Sequence, residues 1–327
     1  MDEELDCATA RSLLRTREDL IRNGLTERDL AHQVSAEKLI RVRRGRYVGA
    51  EQWDDLWNEG RHLLQVIAFQ LNSDGRQQVM WGPSAAVLHG LPLYDLAPRS
   101  IHAVIHGQRH SRRRTGIRWH DVELPAEDIV EIDGIRCTSR DRTVLDMTRR
   151  YREEVGVSVA DAALRREAVV GHSQDAGRVA QWRERLGGRA NRLSTRGILR
   201  ARRLIEFADG RAQLPGESVS RLQLDRLGYR GFDLQVHVVG PAQEDYWLDF
   251  GFPRSRVFGE FDGKGKYTRD SMRAGRTTEQ VLMDEKRRED VIRGVTGWRP
   301  IRWGSEHIRD LDVFARRLQS FGIRPPG

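Results

Sequence analysis

The chain has 327 residues, of which 38% are hydrophobic and 32% charged, so it can form folded cores and is too apolar for wholesale disorder. No stretch approaches the roughly 20 apolar residues that span a bilayer, and two cysteines are too few for a disulfide framework or a cysteine zinc cluster. A net charge of +8 and a pI near 10.0 favour polyanionic partners.

Residues 1–55 predict two short helices. Thr16 and Asp19 have the spacing of a capping box at the start of the first helix. Thr26 has the side chain of an N-cap, and we expect the second helix to run over residues 27–38.

The acidic start of the chain does not resemble a secretory signal, so we expect a cytoplasmic protein with no membrane partner.

A β-hairpin is predicted over residues 39–48, where apolar and basic residues alternate around a turn containing Gly45. Two helices followed by a basic hairpin are typical of a winged helix, in which the second helix enters the major groove and the hairpin contacts phosphates. The candidate DNA-binding residues are Arg28, Arg41, Arg43, Arg44 and Arg46. The alternative is a small module that only packs on its neighbours.

The first part of the chain resembles the abortive-infection antitoxins of the AbiEi type over roughly residues 10–165. The matching segments are the helix end at residues 23–25, the hairpin at 39–48, the run Ser84–Pro92 and the run Gly134–Asp146. This resemblance implies a winged-helix domain followed by a mixed middle domain, and a strand-to-helix junction in the last of these segments. It also implies DNA as a partner, repression of the protein's own promoter, and a toxin-like protein encoded by a neighbouring gene.

The middle of the chain, residues 60–205, predicts a mixture of helices and strands. The predicted helices are 61–71, 83–89, 143–151, 157–166 and 195–208, and the predicted strands are 101–106 and 117–120. The histidines His102, His106, His110 and His120 fit no zinc spacing, and we expect them to scatter along strands. The arginine-rich helices are open to two interpretations, a surface that follows a nucleic-acid backbone or a solvated face.

The strongest chemical pattern is an acidic hairpin in the last third of the chain. Strands over residues 246–252 and 257–263 flank a tight turn, and a turn centred on Arg254-Ser255 places Asp249 opposite Glu260. The same register pairs Gly251 with Phe258 and Trp247 with Asp262. It gathers the apolar side chains of both strands on the other face.

Two directly opposed carboxylates destabilise a hairpin, and a divalent cation between them reverses that cost because hard oxygen ligands suit Mg²⁺. Asp262 lies on the same face as Asp249 and Glu260, two residues further along. The alternative is an exposed acidic face balanced by Arg254 and Arg256.

A helix is predicted over residues 215–228, with Glu217 in its first turn. Glu217 is open to two interpretations, a simple helix N-terminal acid or a member of the acidic site. Downstream, residues 278–293 predict another helix, and residues 298–303 a closing strand.

This order of parts resembles the restriction-endonuclease-like PD-(D/E)xK superfamily, in particular its very-short-patch-repair branch, over about residues 212–320. The resemblance implies that Glu217, Asp249 and Glu260 form the acidic metal-binding set. Asp262 stands where many members have Lys, so the resemblance leaves the catalytic cation to Lys264, Lys266 or Lys286.

We therefore expect an α/β and α+β multidomain protein with a winged helix (1–55), a mixed α/β middle domain (56–208) and a restriction-endonuclease-like domain (209–327). The function expected is a DNA endonuclease dependent on Mg²⁺ or Mn²⁺, in phage defence or a toxin–antitoxin-like system. The candidate catalytic residues are Glu217, Asp249, Glu260, Asp262, Lys264 and Lys286. The alternatives are a DNA-binding repressor or antitoxin without turnover and, more weakly, a module that binds a toxin. Double-strand cleavage by a chain with a single site would favour a homodimer.

Overall fold

The protein is a mixed α/β molecule with several sheets, as expected from the sequence. The structure is a computed structural model, and it describes residues 5–73, 78–104, 116–193, 195–263 and 277–325. The chain divides into two compact units, Met1–Val155 with Thr195–Ala201, and Gly156–Ser194 with Arg202–Gly327. Among the described helices, none combines the length and the apolar character that crossing a membrane requires.

The α-helices are, in chain order, α1 (Cys7–Leu13), α2 (Arg17–Arg22), α3 (Glu27–Ser35), α4 (Ala50–Asp54), α5 (Asn58–Leu71), α6 (Pro83–Leu88), α7 (Arg140–Arg150), α8 (Glu153–Ala168), α9 (Ala176–Asn191), α10 (Ile198–Phe207), α11 (Pro215–Arg226), α12 (Thr278–Thr296), α13 (Ser305–Ile308) and α14 (Leu311–Gln319). Short 3₁₀ turns cover Ala126–Asp128 and Pro253–Ser255.

The strands are β1 (Arg15–Thr16), β2 (Leu39–Arg43), β3 (Arg46–Gly49), β4 (Val79–Met80), β5 (Ile101–Val104), β6 (Ile117–His120), β7 (Ile129–Ile132), β8 (Ile135–Thr138), β9 (Val169–Val170), β10 (Ser173–Gln174), β11 (Asp233–Val239), β12 (Asp245–Phe252), β13 (Val257–Asp262) and β14 (Arg299–Gly304).

Helices α2 and α3 begin where the capping residues predict, whereas α1 was not predicted. Thr16 and Asp19 form a reciprocal capping box at α2, and Thr26 and Asp29 form another at α3. The predicted second helix is three residues too long, because α3 ends at Ser35 and Glu37 takes a left-handed φ of 53°. A helix cannot continue through that conformation.

The predicted hairpin at residues 39–48 is confirmed: β2 pairs with β3, and β1 adds to form a three-stranded sheet of order β1-β3-β2. The buried side chains Leu20, Leu30, Leu39 and Tyr47 form the core between this sheet and helices α2 and α3.

A second sheet in the first unit has five strands in the order β6-β5-β4-β8-β7. The predicted junction at 134–146 is present as strand β8 followed by helix α7. The preceding hairpin between β7 and β8 was not predicted. Its turn residues Asp133 and Gly134 both have positive φ, at 48° and 76°, which is the requirement of the two-residue turn that joins paired strands.

The second unit contains a four-stranded sheet of order β11-β12-β13-β14. Strands β11, β12 and β13 are antiparallel neighbours, whereas β14 runs parallel to β13 after the crossover through α12. Large aromatic side chains fill its core: the ring of Trp303 lies 5.1 Å from that of Phe250 and 5.4 Å from that of Phe314. Trp303 also donates a hydrogen bond to Ser220 Oγ at 2.8 Å, which fixes α11 against the sheet.

Candidate functional site

The acidic hairpin has the predicted register. Strand β12 pairs with β13 at Phe250–Gly259, Gly251–Phe258 and Phe252–Val257, so the predicted partners Gly251 and Phe258 are confirmed. The ladder ends one residue before Asp249 and Glu260. Asp249 Oδ2 instead accepts a hydrogen bond from the Phe261 N–H at 3.0 Å. This bond keeps the two strands together at the point where their backbone pairing stops.

A cavity of about 420 Å³ opens at this point, and the described residues that line it all belong to the second unit. The lining residues are His172, Gln213, Gln235, Trp247, Asp249, Glu260, Phe261, Asp262, Val281, Asp284, Glu285, Arg288 and Arg302. We call this the acidic cavity. The structure thus brings together three residues of the predicted site, Asp249, Glu260 and Asp262.

Arginines, rather than lysines, supply the positive charge of the acidic cavity among the described residues. Arg288 on α12 donates from Nη1 to Glu260 Oε1 at 2.5 Å and from Nη2 to the Trp247 carbonyl at 2.8 Å. The Glu260 side chain is only 14% exposed, so its negative charge is largely shielded from water and is balanced locally by Arg288.

Arg302 is the second arginine of the cavity, and it comes from β14 directly beside Glu260 in the parallel ladder. Its Nη2 lies 2.8 Å from Glu285 and 3.3 Å from Glu289, and 3.8 Å from Glu260 Oε2. Sequence reasoning missed both arginines. For Arg288 the signal was its spacing from Glu285 and Glu289, which places the three residues on one face of α12.

Glu217 does not line the cavity. Its residue is 1% exposed, and its Oε2 accepts a hydrogen bond from the Gln213 N–H at 2.8 Å. Gln213 is a lining residue, so Glu217 acts on the site by holding the backbone of a residue that reaches it.

The three candidate lysines are not brought to the cavity by the described part of the chain. Lys264 and Lys266 lie outside the described residues. Lys286 is exposed on α12 and is not among the lining residues of the cavity.

A stack of aromatic rings borders the cavity. The Trp247 ring lies between His172, 4.1 Å away at an angle of 6°, and His237, 4.4 Å away at 20°. His237 Nε2 is 2.5 Å from Asp245 Oδ1. This arrangement fixes Trp247 at the rim, and none of these rings was among the predicted site residues.

The donor chemistry of the cavity fits a divalent metal ion, because Asp249, Glu260 and Asp262 offer the hard carboxylate oxygens that Mg²⁺ and Mn²⁺ prefer. Within the ranges that the structure describes, however, no group of three or more His, Cys, Asp and Glu side chains is arranged to hold an ion. A metal bound here would share Glu260 with Arg288.

The predicted DNA-binding arginines of the first unit fall into two groups. Arg28, Arg41 and Arg44 are exposed. The Arg43 guanidinium instead lies 5.1 Å from the centre of the Phe69 ring, and Arg46 Nε donates to Asn72 Oδ1 at 3.2 Å. Arg43 and Arg46 therefore help to anchor the hairpin.

The histidines of the middle region do not all scatter, so that expectation was wrong for one pair. His102 Nδ1 and His120 Nε2 are 3.1 Å apart, because β5 and β6 run parallel and place both rings on one face beside Trp81. His106 and His110 lie outside the described residues. Burial is the main cause that lowers the pKa of His102 to about 3 and the pKa of His120 to about 4.

Comparisons with known proteins find relatives whose names state no activity. No protein-family model matches the chain. It is 28% identical over 277 residues to two uncharacterized proteins of Mycobacterium tuberculosis, MT2308 of strain CDC 1551 / Oshkosh and Rv2248 of strain H37Rv. Each alignment covers 81% of this chain and 93% of the relative.

Proposed function

We propose that the protein is a metal-dependent DNA endonuclease, with the acidic cavity as its phosphodiester-hydrolysing site and the N-terminal helices and hairpin as its DNA-binding part. The observation that carries the proposal is the meeting of Asp249, Glu260 and Asp262 at one cavity on two adjacent strands. Carboxylates that face each other on adjacent strands destabilise the fold unless a bound cation or a positively charged side chain offsets their repulsion.

Asp249 and Glu260 would hold the metal, with Asp262 beside them. A divalent cation supplies charge stabilisation at the scissile phosphate and lowers the pKa of a bound water. Arg288 and Arg302 line the cavity, and their guanidinium groups are of the kind that binds phosphate and neutralises its charge.

The DNA-binding part of the proposal rests on charge and topology. Arg28 is exposed on α3, and Arg41 and Arg44 are exposed on or beside β2. A helix and a basic hairpin from one small core are suited to a groove and its flanking phosphates, respectively. Phage defence, or a toxin-like protein as a further partner, rests only on the resemblance given above.

The test is cleavage of supercoiled plasmid in Mg²⁺ or Mn²⁺ by the full chain. We expect Glu260→Gln and Asp249→Asn to reduce the rate by at least about 100-fold, because each removes a charged ligand. The matched control is Glu279→Gln on the same domain, an exposed glutamate in the first turn of α12 that does not line the cavity. Cleavage by either site variant at the wild-type rate would contradict the proposal.

A second function, DNA binding without turnover as a repressor or antitoxin, is favoured by one observation. Glu260 is already paired with Arg288 at 2.5 Å, with Arg302 at 3.8 Å, and such a pair can hold a charged site together without a metal. Protection of the upstream promoter region by the protein, without cleavage in Mn²⁺, would select this function.

A further inference from the structure

Gln235 occupies a position in the sheet that continues the row of site residues. The pairs Leu234–Phe250 and Val236–Leu248 flank it on β11, so Gln235 lies opposite Asp249, and Asp249 in turn lies beside Glu260. Backbone pairing is interrupted between Gln235 and Asp249. Three neighbouring strands therefore each contribute at least one polar residue to the wall of the acidic cavity.

The backbone at Gln235 is strained. Its φ is 51°, in the left-handed region that glutamine seldom adopts, and it lies within a strand rather than in a turn. Strain of this kind persists where the surrounding structure enforces it, and it is concentrated at functional sites. The conformation accompanies the break in pairing and places the side chain at the cavity wall.

The orientation of the Gln235 amide is fixed by two neighbours. Gln213 Nε2 donates to Gln235 Oε1 at 2.9 Å, and His172 Nδ1 lies 2.9 Å from the same oxygen. With Oε1 engaged in this way, the Nε2 amino group must point elsewhere.

That amino group is a buried donor that remains unsatisfied by the protein. The residue is only 6% exposed, and Nε2 has no hydrogen-bond partner among the described residues. A buried donor without a partner is unfavourable, and such groups in folded proteins call for an explanation such as a ligand.

The cavity limits what that ligand can be. An N–H donor needs an acceptor, and the neighbouring carboxylates and guanidiniums suit a metal ion and an anion, respectively. A phosphate oxygen satisfies the donor, and a neutral amide adds direction to its binding without altering the charge of the site.

We propose that Gln235 binds the nucleic-acid substrate, donating from Nε2 to a phosphate oxygen of the strand held in the acidic cavity, with Gln213 as the positioning residue that orients the amide. This inference rests on the proposed function for the identity of the ligand. It assigns a binding role to β11, a strand that supplies none of the acidic residues.

The experiment uses the full chain and a short fluorescent DNA duplex. Binding is measured by anisotropy in Ca²⁺, and cleavage in Mn²⁺. We expect Gln235→Met to lower kcat/KM by about 10- to 100-fold, as for loss of a hydrogen bond to a charged group, and to leave the melting temperature unchanged or raised. Gln213→Met, which keeps the donor but frees its orientation, should have a smaller effect.

Gln243→Met is the matched control, because Gln243 also has a positive φ, 64°, but is exposed and does not line the cavity. Wild-type kcat/KM in Gln235→Met, or an equal loss in Gln243→Met, would overturn the inference. If Gln235→Met does not fold, Gln235→Ala removes the donor without adding charge or bulk and decides the question by the same readouts.

The outcome separates the two proposals. If the wild type binds the duplex but does not cleave it, the endonuclease proposal fails, and the role of Gln235 is then decided by binding alone. In that case about tenfold weaker binding by Gln235→Met supports the inference, and unchanged binding overturns it. Absence of any DNA binding by the wild type overturns both.

Discussion

Phe261 lies directly against Gly216: a Cβ atom at position 216 would be 2.0 Å from the ring Cζ. Phe261 stands between Glu260 and Asp262, so this contact sets the acidic strand against α11. We expect Gly216→Ala to lower the free energy of unfolding by about 1–3 kcal/mol, because the ring must move to admit the methyl group. Urea unfolding of the full chain measures this change.

The control for that prediction is Gly294→Ala on α12, where a Cβ would meet nothing within 4 Å. There the substitution should be neutral or should stabilise by up to about 1 kcal/mol, because alanine favours the helix. Equal unfolding midpoints for the Gly216→Ala variant and the wild type would show that the close contact does not constrain the strand.

Arg288 should compete with a metal for Glu260. We expect Arg288→Met to bind Mn²⁺ several-fold more tightly in calorimetric titration, because the substitution removes a positive charge 2.5 Å from the carboxylate. Under the endonuclease proposal, cleavage of DNA should weaken in the same variant, because a guanidinium that would bind the phosphate is lost. Arg287→Met, at the exposed neighbouring position, is the control, and Mn²⁺ affinities that do not differ between the two variants would refute the competition.

Stability should fall as the pH decreases from about 6.5 to 4. Burial is the main cause that lowers the pKa of His62 to about 4, as it lowers the values of His102 and His120 given above. The unfolded chain therefore takes up protons below about pH 6.5, whereas the folded protein keeps these imidazoles neutral until about pH 4 or below.

The measurement is the free energy of unfolding against pH for the wild type and for His102→Phe. In this variant the free energy of unfolding should depend less steeply on pH in that interval. The slope should correspond to up to one proton fewer, because one titrating site of the unfolded chain is absent. His32→Phe, at an exposed position of α3, is the control. Parallel curves for His102→Phe and the wild type would contradict the prediction.

The exposed arginines of the hairpin should set the salt dependence of DNA binding. On duplex DNA each phosphate contact contributes about 0.9 to the slope of log K against log salt, so Arg41→Gln with Arg44→Gln should reduce that slope by about 2. Arg99→Gln, at an exposed position outside the hairpin and its helices, should leave it unchanged. A slope unaltered by the double substitution would remove the hairpin from the interface.

Local signals made much of the structure predictable. The capping boxes at Thr16 and Thr26 define helix starts because the side chain and the backbone N–H groups that it caps are three residues apart or fewer. The register of β12 and β13 followed from alternation, because a shift of one residue would move every apolar side chain to the other face. These features depend on neighbours along the chain.

The rest of the site depends on residues that are distant in sequence. Arg302 reaches Glu260 only because β14 returns parallel to β13, and Gln235 reaches the cavity only through its strained φ. The local sequence predicts neither which strand pairs with β13 after the crossover nor the unusual dihedral angle of Gln235. Glu217 was placed correctly on its helix, but its hydrogen bond to the Gln213 backbone could be found only from coordinates.

The charge of the acidic cavity has a consequence for the order of events. Five carboxylates and two guanidiniums among its described lining residues give a formal charge of −3. A nucleic-acid strand arriving first would be repelled, whereas a cation arriving first would be attracted and would reduce that repulsion. Loading would then be sequential, and the rate at which DNA associates would rise with the concentration of divalent ion until the cavity is filled.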